Sequence, residues 1–392
     1  MKNYTVNSSI LSVLKECTFF DEGSGIKSLP STHFKETKVG KKFIYVPSGL
    51  EKNHINAIHE GLNKSLFSRI PINQAATAYS KNKSYLNFLE PHRNNYYFLR
   101  LDLKNFFHFI NRDLIRDAIL GHVSLSPIID GCNQSNLDFI VNMLTITLPN
   151  TSKNEEFSGK TILPIGFKSS PVVSNIVFRK LDILIERFCS ENNITYTRYA
   201  DDMLFSCSTM RDEKYREKSI FDGILNKNEK VPFLHSDNFV EKISFIVNID
   251  GFKLNRKKTI KAKEHLSLNG YLISGSDYPY LSGSIRISNK KTKIISKIIH
   301  ECNNNAGGDI SIYKSIFGVN PEKIKFKYKP KDEFLINYCR SQILNKLVGY
   351  RSYLISVLKF NVDFSCIDDK FVIKCEHLTR ELEHIIESRI DK

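Results

Sequence analysis

The sequence predicts an α+β fold in which an antiparallel sheet is backed by helices. Aromatic and β-branched residues are concentrated in two runs, at 96–107 and 194–208, and this composition is typical of strands. A loop followed by a long amphipathic helix is predicted at 161–188, where apolar residues recur at helical spacing. The segments 251–260 and 265–274 are each predicted as one further short strand.

The charge balance indicates a polyanionic partner. The 392 residues include 57 Lys and Arg against 42 Asp and Glu, a net charge of +15. Positive side chains placed on phosphates release condensed counterions, so this excess favours nucleic acid, with an ordinary basic protein as the alternative. Most of the excess lies late in the chain, because residues 286–351 carry 14 Lys and Arg against 5 Asp and Glu.

The cysteines and the hydropathy pattern bear on the compartment. The eight cysteines are scattered and form no C-x-x-C pair, so neither a zinc site nor a disulfide framework is predicted. With no export signal at the N-terminus, this usage fits a reducing cytoplasm. No apolar run of about 18 residues is present, so we expect no membrane span.

Three aspartates carry the candidate chemistry. Asp201 and Asp202 follow Tyr199 and Ala200 at the expected turn of a hairpin, and Asp102 ends the earlier β-rich run. For the adjacent pair alone, a solvated Asp-Asp turn is the alternative. Carboxylates that are brought together repel one another, and divalent cations with oxygen ligands relieve this repulsion. The three residues are therefore candidate ligands of two Mg²⁺ ions, or of Mn²⁺, in a site for phosphoryl transfer.

Five blocks of the sequence occur in the order seen in reverse transcriptases, and the chain resembles that family. The blocks are Asp102 with Phe106 and Phe107, LPIGFKSSPVVSN, YADD, GFKLNRKKT and LNGYLIS. Within the family, the chain looks most like the prokaryotic enzymes of retrons and related phage-defence systems. The resemblance implies a right-hand polymerase fold, with fingers at 1–100, a catalytic palm at 101–285 and a helical, basic, nucleic-acid-binding thumb at 286–392.

The same resemblance implies roles for residues that match the family's motifs. Asp102 and Asp201 resemble the principal metal ligands, and Asp202 resembles the second carboxylate of the tetrad. Phe107 matches the steric gate that excludes a ribose 2′-OH, whereas Phe106 is expected to pack in the core. The other expected nucleotide-binding residues are Leu103, Lys81, Lys83, Gly166, Ser170, Pro171 and Lys258. An ordinary solvated basic loop is the alternative for the two lysines of the fingers.

Contacts with the template and primer are also implied. The residues expected to make them are Tyr199, Ser174, Asn175, Asn87, His92, Gly270, Lys346 and Arg351. Gly349 would permit close approach of a duplex backbone. The alternative for Ser174 and Asn175 is that they are simply polar residues on a helix. The alternative for Lys346 and Arg351 is that they lie on a solvated helix face. Arg198 is interpreted as structural.

The chain departs from the family pattern at three places. Ile165 stands where Gln usually precedes the motif glycine, which puts substrate handling in doubt. NFLEPH at 87–92 stands in place of an Asn-Ala-x-x-His signature, and Leu268-Asn269-Gly270 in place of Val-Thr-Gly. A sister defence enzyme is therefore the alternative to a retron enzyme.

Retron resemblance implies an RNA-directed DNA polymerase that copies a dedicated, structured noncoding RNA, which acts as both template and primer. Its substrates are dNTPs, its product is DNA, and a separate effector protein would act with it in antiviral defence. Two other classes stay open. One is a nontemplated or protein-primed polymerase of the abortive-infection type, and the other is a catalytically idle scaffold that binds RNA or an effector.

Overall fold

A computed structural model describes residues 3–208, 232–276 and 282–390. The helices in these ranges are α1 (Ser8–Lys15), α2 (Lys52–Ser65), α3 (Tyr85–Leu89), α4 (Phe106–Phe109), α5 (Arg112–Ile119), α6 (Asn136–Leu144), α7 (Ser170–Glu191), α8 (Asp237–Asn248), α9 (Asn289–Asn304), α10 (Gly308–Phe317), α11 (Asp332–Phe364) and α12 (Asp369–Ile390). The strands are β1 (Phe34–Val39), β2 (Lys42–Pro47), β3 (Tyr97–Asp102), β4 (Ile146–Thr147), β5 (Thr161–Ile162), β6 (Thr195–Tyr199), β7 (Asp202–Cys207), β8 (Ile260–Lys263), β9 (His265–Leu268), β10 (Tyr271–Ser274) and β11 (Ser284–Ile287).

The described residues form two compact units. The first comprises 3–88, 98–207 and 232–261, and the second comprises 89–97, 208, 262–276 and 282–390. Most residues expected to form fingers and palm thus share the first unit, whereas 89–97 of the expected fingers and the described residues of the expected palm from 262 onwards belong to the second. The division into fingers, palm and thumb at those boundaries stays a prediction.

The first unit is built around a four-stranded sheet with the order β6-β7-β3-β8. β6 and β7 form the predicted antiparallel hairpin, with Tyr199 opposite Asp202. Phe98, Leu204 and Phe205 are fully buried on these strands, as expected for apolar runs in a central sheet. The predicted amphipathic helix is α7, which packs against β6 and has Pro171 in its first turn. The α+β prediction is therefore confirmed.

The second unit combines a three-stranded antiparallel sheet, β11-β10-β9, with the four helices α9–α12. Its longest helix is α11, which runs alongside α12. The buried residues Leu347 and Leu354 lie on α11 and Leu382 lies on α12, so apolar contact between the two helices stabilises the pair.

Two strand predictions were wrong. The segment 265–274 is two strands, because Asn269 and Gly270 form the turn between β9 and β10 with φ values of +48° and +89°. Asn-Gly between alternating apolar residues is the strongest short hairpin signal, and it explains the difference. The segment 251–260 is mostly irregular, and Arg256–Lys258 forms a 3₁₀ turn before β8 begins at Ile260.

All eight cysteines are free thiols. Within the ranges that the structure describes, no helix is long and apolar enough to cross a lipid bilayer.

Three buried histidines make the fold sensitive to acid. Burial lowers the pKa of His59 and of His108 to about 4. Burial likewise lowers the pKa of His92 to about 3. In the first unit, the Nδ1 atom of His59 lies 2.9 Å from the Ser169 hydroxyl, which fixes the ring between α2 and the start of α7. These rings are therefore neutral in the folded protein at neutral pH.

We expect the free energy of unfolding to fall as the pH decreases from 6.5 towards 4. Because the folded-state pKa of His59 lies below its ordinary value of 6.5, the unfolded chain binds the proton first. Each such histidine should contribute a slope of about 1.4 kcal/mol per pH unit in this range. Urea denaturation across this pH range should show a shallower slope for His59→Gln. His265→Gln, at a half-exposed position, should leave the slope unchanged; equal slopes for the two variants would contradict the assignment.

Candidate active site

The three predicted aspartates converge at one end of the central sheet. Asp102 is the last residue of β3, Asp202 is the first residue of β7, and Asp201 lies in the turn that precedes it. The Leu103 backbone N–H donates to the Asp201 carbonyl oxygen over 2.9 Å, and this bond joins the turn to the end of β3. Asp102 is only 2% exposed, and the other two carboxylates are partly buried.

A tight turn presents Asp201 and Asp202. Ala200 and Asp201 are the two central residues, and Ala200 has a φ of +55°. Two-residue hairpin turns require a positive φ at the first central position, which disfavours bulky side chains there. The small alanine of YADD fits this requirement, and the Arg198 guanidinium holds the turn by donating to the Ala200 carbonyl oxygen over 3.0 Å.

Arg198 is fully buried and forms a two-point ion pair with Asp182 of α7. Its Nε and Nη2 atoms donate to the two carboxylate oxygens over 2.8 and 2.7 Å. The Tyr196 hydroxyl donates to the same carboxylate, and the guanidinium lies 4.6 Å from the centre of the Phe178 ring. Burial opposes the charge on Arg198, but Asp182 outweighs it and raises the arginine pKa. The predicted structural role of Arg198 agrees with this geometry.

Three cations face the aspartates. The Arg100 Nη2 atom lies 3.3 Å from Asp102 Oδ2 and also donates to Asp202. The Lys258 ammonium lies 3.0 Å from Asp102 Oδ2. The Lys42 ammonium lies 3.8 Å from Asp201 Oδ2. The carboxylate charges are thus compensated from three sides.

The electrostatics of Asp202 show what the cluster requires. Burial raises its pKa most, Arg100 opposes this rise, and the neighbouring Asp201 and Asp102 add to it. A buried set of oxygen ligands whose charges repel one another fits Mg²⁺, which prefers hard oxygen ligands. Asp102, Asp201 and Asp202 are the residues that would hold such ions.

The two aromatic residues after Asp102 differ in burial, and the steric-gate role of Phe107 stays a prediction. Phe106 is buried, and its ring packs against Phe178 and Phe252. Phe107 is only half-buried, and its ring lies edge-on to Tyr79 at 6.3 Å. Burial and then the nearby Asp201 charge raise the pKa of Tyr79, the residue against which Phe107 packs.

Leu103 and the loop before α7 both make contacts within the first unit. The Leu103 side chain is buried. Gly166 is exposed and has a φ of +115°, and a Cβ there would collide with the Tyr45 carbonyl oxygen, so the glycine permits close approach to β2. Its contact with a nucleotide stays a prediction. The Tyr45 backbone N–H donates to Ile165 over 2.7 Å, which fixes the loop against that strand.

The first turns of α7 are also largely buried. Ser170, Ser174 and Asn175 are inaccessible, and Pro171 is half-buried. The Ser174 hydroxyl donates to the Pro171 carbonyl oxygen, and the Asn175 amide donates to the Ala78 carbonyl oxygen, each over 2.7 Å. The structure does not support direct contacts of these three polar side chains with template or nucleotide.

Most of the other predicted binding residues of the first unit make contacts with neighbouring residues of the protein. Lys81 is exposed, whereas the Lys83 ammonium donates to the Gln74 carbonyl oxygen over 2.7 Å, and burial lowers the Lys83 pKa. Asn87 accepts from the Ser84 backbone N–H at the start of α3. The Tyr199 ring packs against the Tyr85 ring at 4.8 Å.

In the second unit, the expected nucleic-acid contacts differ in accessibility. His92 is fully buried and neutral, so the structure does not support an RNA contact by its ring. Gly270 serves the β9–β10 turn. The Arg351 guanidinium is paired with Glu383 at 2.8 Å. Lys346 lies 4.2 Å from the centre of the Phe317 ring, and burial lowers its pKa. Gly349 is exposed, with open space where a Cβ would project.

Sequence reasoning missed Arg100, Lys42 and Tyr79. The signal for Arg100 was present, because residues two apart on a strand share a face and Arg100 precedes Asp102 by two. Lys42 and Tyr79 lie far from the aspartates in sequence, so only the fold brings them close.

A second group of metal-binding residue types lies away from this site. Cys17, Glu51 and His54 have ligand atoms within 4.8 Å of one another. Glu51 accepts from the Thr18 backbone N–H and hydroxyl, and its other oxygen lies 2.9 Å from His54 Nδ1. Burial would raise the Glu51 pKa, but these hydrogen bonds lower it to about 2. The carboxylate thus joins the end of α1 to the start of α2.

A family model described as "Reverse transcriptase (RNA-dependent DNA polymerase)" matches residues 44–272, which include all three aspartates. The chain belongs to the reverse transcriptase family. This membership confirms the predicted right-hand polymerase fold class.

Retron proteins are among the curated relatives of this reverse transcriptase. The chain is 35% identical over 183 residues to the retron Ec83 reverse transcriptase of Escherichia coli, covering 46% of this chain and 55% of the relative. It is 30% identical over 174 residues to the retron Ec73 reverse transcriptase of Escherichia coli, covering 43% and 50%. The predicted retron-type resemblance is confirmed, and the chain spans about half the length of these relatives.

Among solved structures, the reverse transcriptase is similar to a telomerase from Candida albicans in complex with a fragment of telomeric RNA. The identity is 12%, the coverage is 93% of this chain and 65% of the telomerase chain, and the TM-score is 0.39.

Asp182→Asn should destabilise the protein by about 3–5 kcal/mol, because it leaves the buried Arg198 charge without its partner. The double variant Asp182→Leu, Arg198→Met should cost less, since it removes both charges. Urea denaturation followed by circular dichroism would measure both. Glu191→Gln is the matched control, because its partner Arg187 on the same helix is 79% exposed and such pairs contribute under about 1 kcal/mol. Equal losses for Asp182→Asn and the control would refute the structural role of the ion pair.

Proposed function

We propose that this chain is an RNA-directed DNA polymerase that adds deoxynucleotides to a 3′ end. The observation that carries the proposal is the convergence of Asp102, Asp201 and Asp202 from neighbouring strands, inside the part of the chain that matches the family. Carboxylates gathered in this way have little structural use, because their mutual repulsion costs stability.

The aspartates would hold two Mg²⁺ ions, with Mn²⁺ as a substitute, and Asp102 and Asp201 would be the principal ligands. When bound, the ions supply activation of the 3′ hydroxyl and charge stabilisation of the leaving pyrophosphate. The chain's own residues orient the site. Arg198 holds the turn, and Lys258 and Lys42 provide positive charge for phosphate groups beside the carboxylates.

The remaining first-unit predictions are part of this proposal. Phe107, which is half-buried, would act as the steric gate under the nucleotide sugar. Lys81, which is exposed, would meet the incoming triphosphate. In the second unit, Lys346 and the open helix surface at Gly349 would face the backbone of the template–product duplex.

The proposed biological setting is a retron. The template and primer would be a dedicated, structured noncoding RNA, the product would be DNA, and the system would act in antiviral defence with a separate effector in the cytoplasm. Support comes from the retron reverse transcriptases among the relatives and from the net charge of +15.

The first test is to purify the protein from its native locus and to sequence the nucleic acid that remains bound, after separate RNase and DNase treatment. We expect a specific RNA together with DNA complementary to part of it. The variant Asp201→Asn, Asp202→Asn should keep the RNA and lose the DNA, because only the metal ligands are changed. Asp237→Asn, at a side chain that is 97% exposed, is the matched control and should keep both.

Other outcomes would support the other classes of protein. DNA that matches no bound RNA would favour a nontemplated or protein-primed polymerase. Wild-type protein that carries RNA without DNA, together with full phage defence by the aspartate variant, would favour a scaffold. Either result would overturn the proposal of templated synthesis.

Phe107→Ala should admit ribonucleotides, because the smaller side chain leaves room for a 2′-OH. A single packing contact of this kind discriminates by roughly 10- to 200-fold, and we expect the preference for dNTPs over rNTPs to fall by an amount in that range. Primer extension with each nucleotide type measures this ratio. Phe109→Ala is the control, because Phe109 lies on the same helix and packs against Phe157 instead. An unchanged ratio in Phe107→Ala would show that another residue sets the sugar preference.

A further inference from the structure

A lysine-rich segment between α10 and α11 has a strictly alternating sequence. Lysine occupies every second position from Lys323 to Lys331, and no acidic residue lies between them. The intervening residues are Ile324, Phe326, Tyr328 and Pro330. The segment 323–331 therefore concentrates five positive charges and two aromatic rings within nine residues.

The lysines of the segment face solvent, whereas most of the intervening residues do not. All five lysines are exposed, and Ile324, Phe326 and Pro330 are half-buried. The nearby acids Glu322 and Asp309 face other cations, with Glu322 3.7 Å from Lys314 and Asp309 2.9 Å from Arg340. Asp332 and Glu333 directly follow the segment, so its five positive charges exceed the negative charge beside them, and this excess is left for an external partner.

The aromatic residues divide into an anchor and an exposed ring. The Phe326 ring packs edge-on against Phe334 and Tyr338 of α11, with centroid distances of 5.7 and 5.3 Å. Tyr328 breaks the alternating burial and is 76% exposed. The Lys327 ammonium lies 5.3 Å from the centre of the Tyr328 ring, so a cation accompanies the open aromatic face.

Residues 326–331 line an open groove of about 640 Å³ against the first turns of α11. Pockets of roughly 300–1,000 Å³ take ligands of the size of a nucleotide. Glu333 also lines the groove, and its charge lies in the first turn of α11, where the helix dipole favours an acid. The groove therefore offers one negative charge among the lysines.

We infer that the segment 323–331 binds an unpaired stretch of nucleic acid, with a base stacked on Tyr328 and phosphates on the lysines. Lysines attract the phosphate backbone of any nucleic acid, but an exposed ring can stack only on a base whose face is open. In a duplex the base faces are already stacked, so a single strand is the fitting ligand. The inference rests on the proposed function, because the RNA bound by the full chain would supply this stretch.

Binding of fluorescent oligonucleotides to the full chain tests the inference, with oligouridine RNA, oligothymidine DNA and a blunt RNA duplex as probes. We expect binding of both single strands, but not of the duplex, to depend on Tyr328, and the ratio of the two single-strand affinities tells whether RNA or DNA is preferred. Tyr328→Ala should weaken single-strand binding by about 5- to 100-fold, and Tyr328→Phe should retain it because the ring is kept. Glu333→Gln should strengthen binding, since it removes the one repulsive charge in the groove.

Phe245→Ala is the matched control, because that ring is 73% exposed in the first unit and has no alternating lysines around it. If Tyr328→Ala and Phe245→Ala bind the single strands equally well, or if Tyr328→Ala weakens binding of the duplex as much as binding of the single strands, the inference is overturned. If polyglutamate displaces the labelled oligonucleotide as effectively as unlabelled oligonucleotide does, the inference is also overturned, in favour of an acidic protein partner.

The same probes separate this inference from the proposed function. Asp201→Asn, Asp202→Asn should bind the single strands like the wild type, whereas Tyr328→Ala should still extend a short annealed primer. A protein without polymerase activity whose binding still depends on Tyr328 would refute the proposed function alone. A protein with polymerase activity whose binding ignores Tyr328 would refute the inference alone.

Discussion

The buried ion pair between Arg198 and Asp182 is the constraint on which the active site depends. Two charges removed from water are stable only with near-ideal geometry, and this pair has it, with both carboxylate oxygens bonded by the guanidinium and a third bond from Tyr196. The same guanidinium bonds Ala200, so the position of α7 is transmitted directly to the turn that carries Asp201 and Asp202. A hydrophobic replacement could fill the volume, but it could not fix the direction of that turn.

The aspartate cluster, unlike the Arg198–Asp182 pair, reduces stability in favour of function, because its carboxylates repel one another. Asp202 has a raised pKa because burial and two neighbouring carboxylates disfavour its charge. Arg100 reduces this cost from the same face of β3, and Lys258 adds a second cation at Asp102. A site that binds divalent cations must keep such repulsion available, since relief of the repulsion is part of the binding free energy. Arg100 therefore stabilises the protein without removing the reason for metal to bind.

The sequence predicted the residues whose roles depend on local pattern. The β3 run, the hairpin at YADD, the α7 helix and the burial of Phe106 each follow from composition and spacing within a short segment. The sequence could not predict which of the expected ligand-binding residues would instead make contacts within the protein. Gly166 packs closely against the backbone of β2, and the Asn175 amide donates a hydrogen bond to the Ala78 carbonyl oxygen. Both partners are more than ninety positions away in the sequence. The Asn-Gly turn at 269–270 was predictable and was overlooked, whereas the contact of Lys42 with Asp201 required the tertiary fold.

The cations of the second unit likewise divide into those that form ion pairs within the fold and those that are exposed to solvent. Arg351 is paired with Glu383, and Arg340 and Arg389 both bond Asp309, so these cations are used in packing its helices together. The lysines at 323–331 are exposed, and the aromatic residues between them fix the segment to α11 through Phe326 but leave Tyr328 in solvent. Net charge alone cannot separate these two groups, because both count equally towards the basic excess. What separates them is whether each cation has an acidic partner within the fold, and on that criterion the exposed lysines of 323–331 are available to a polyanion.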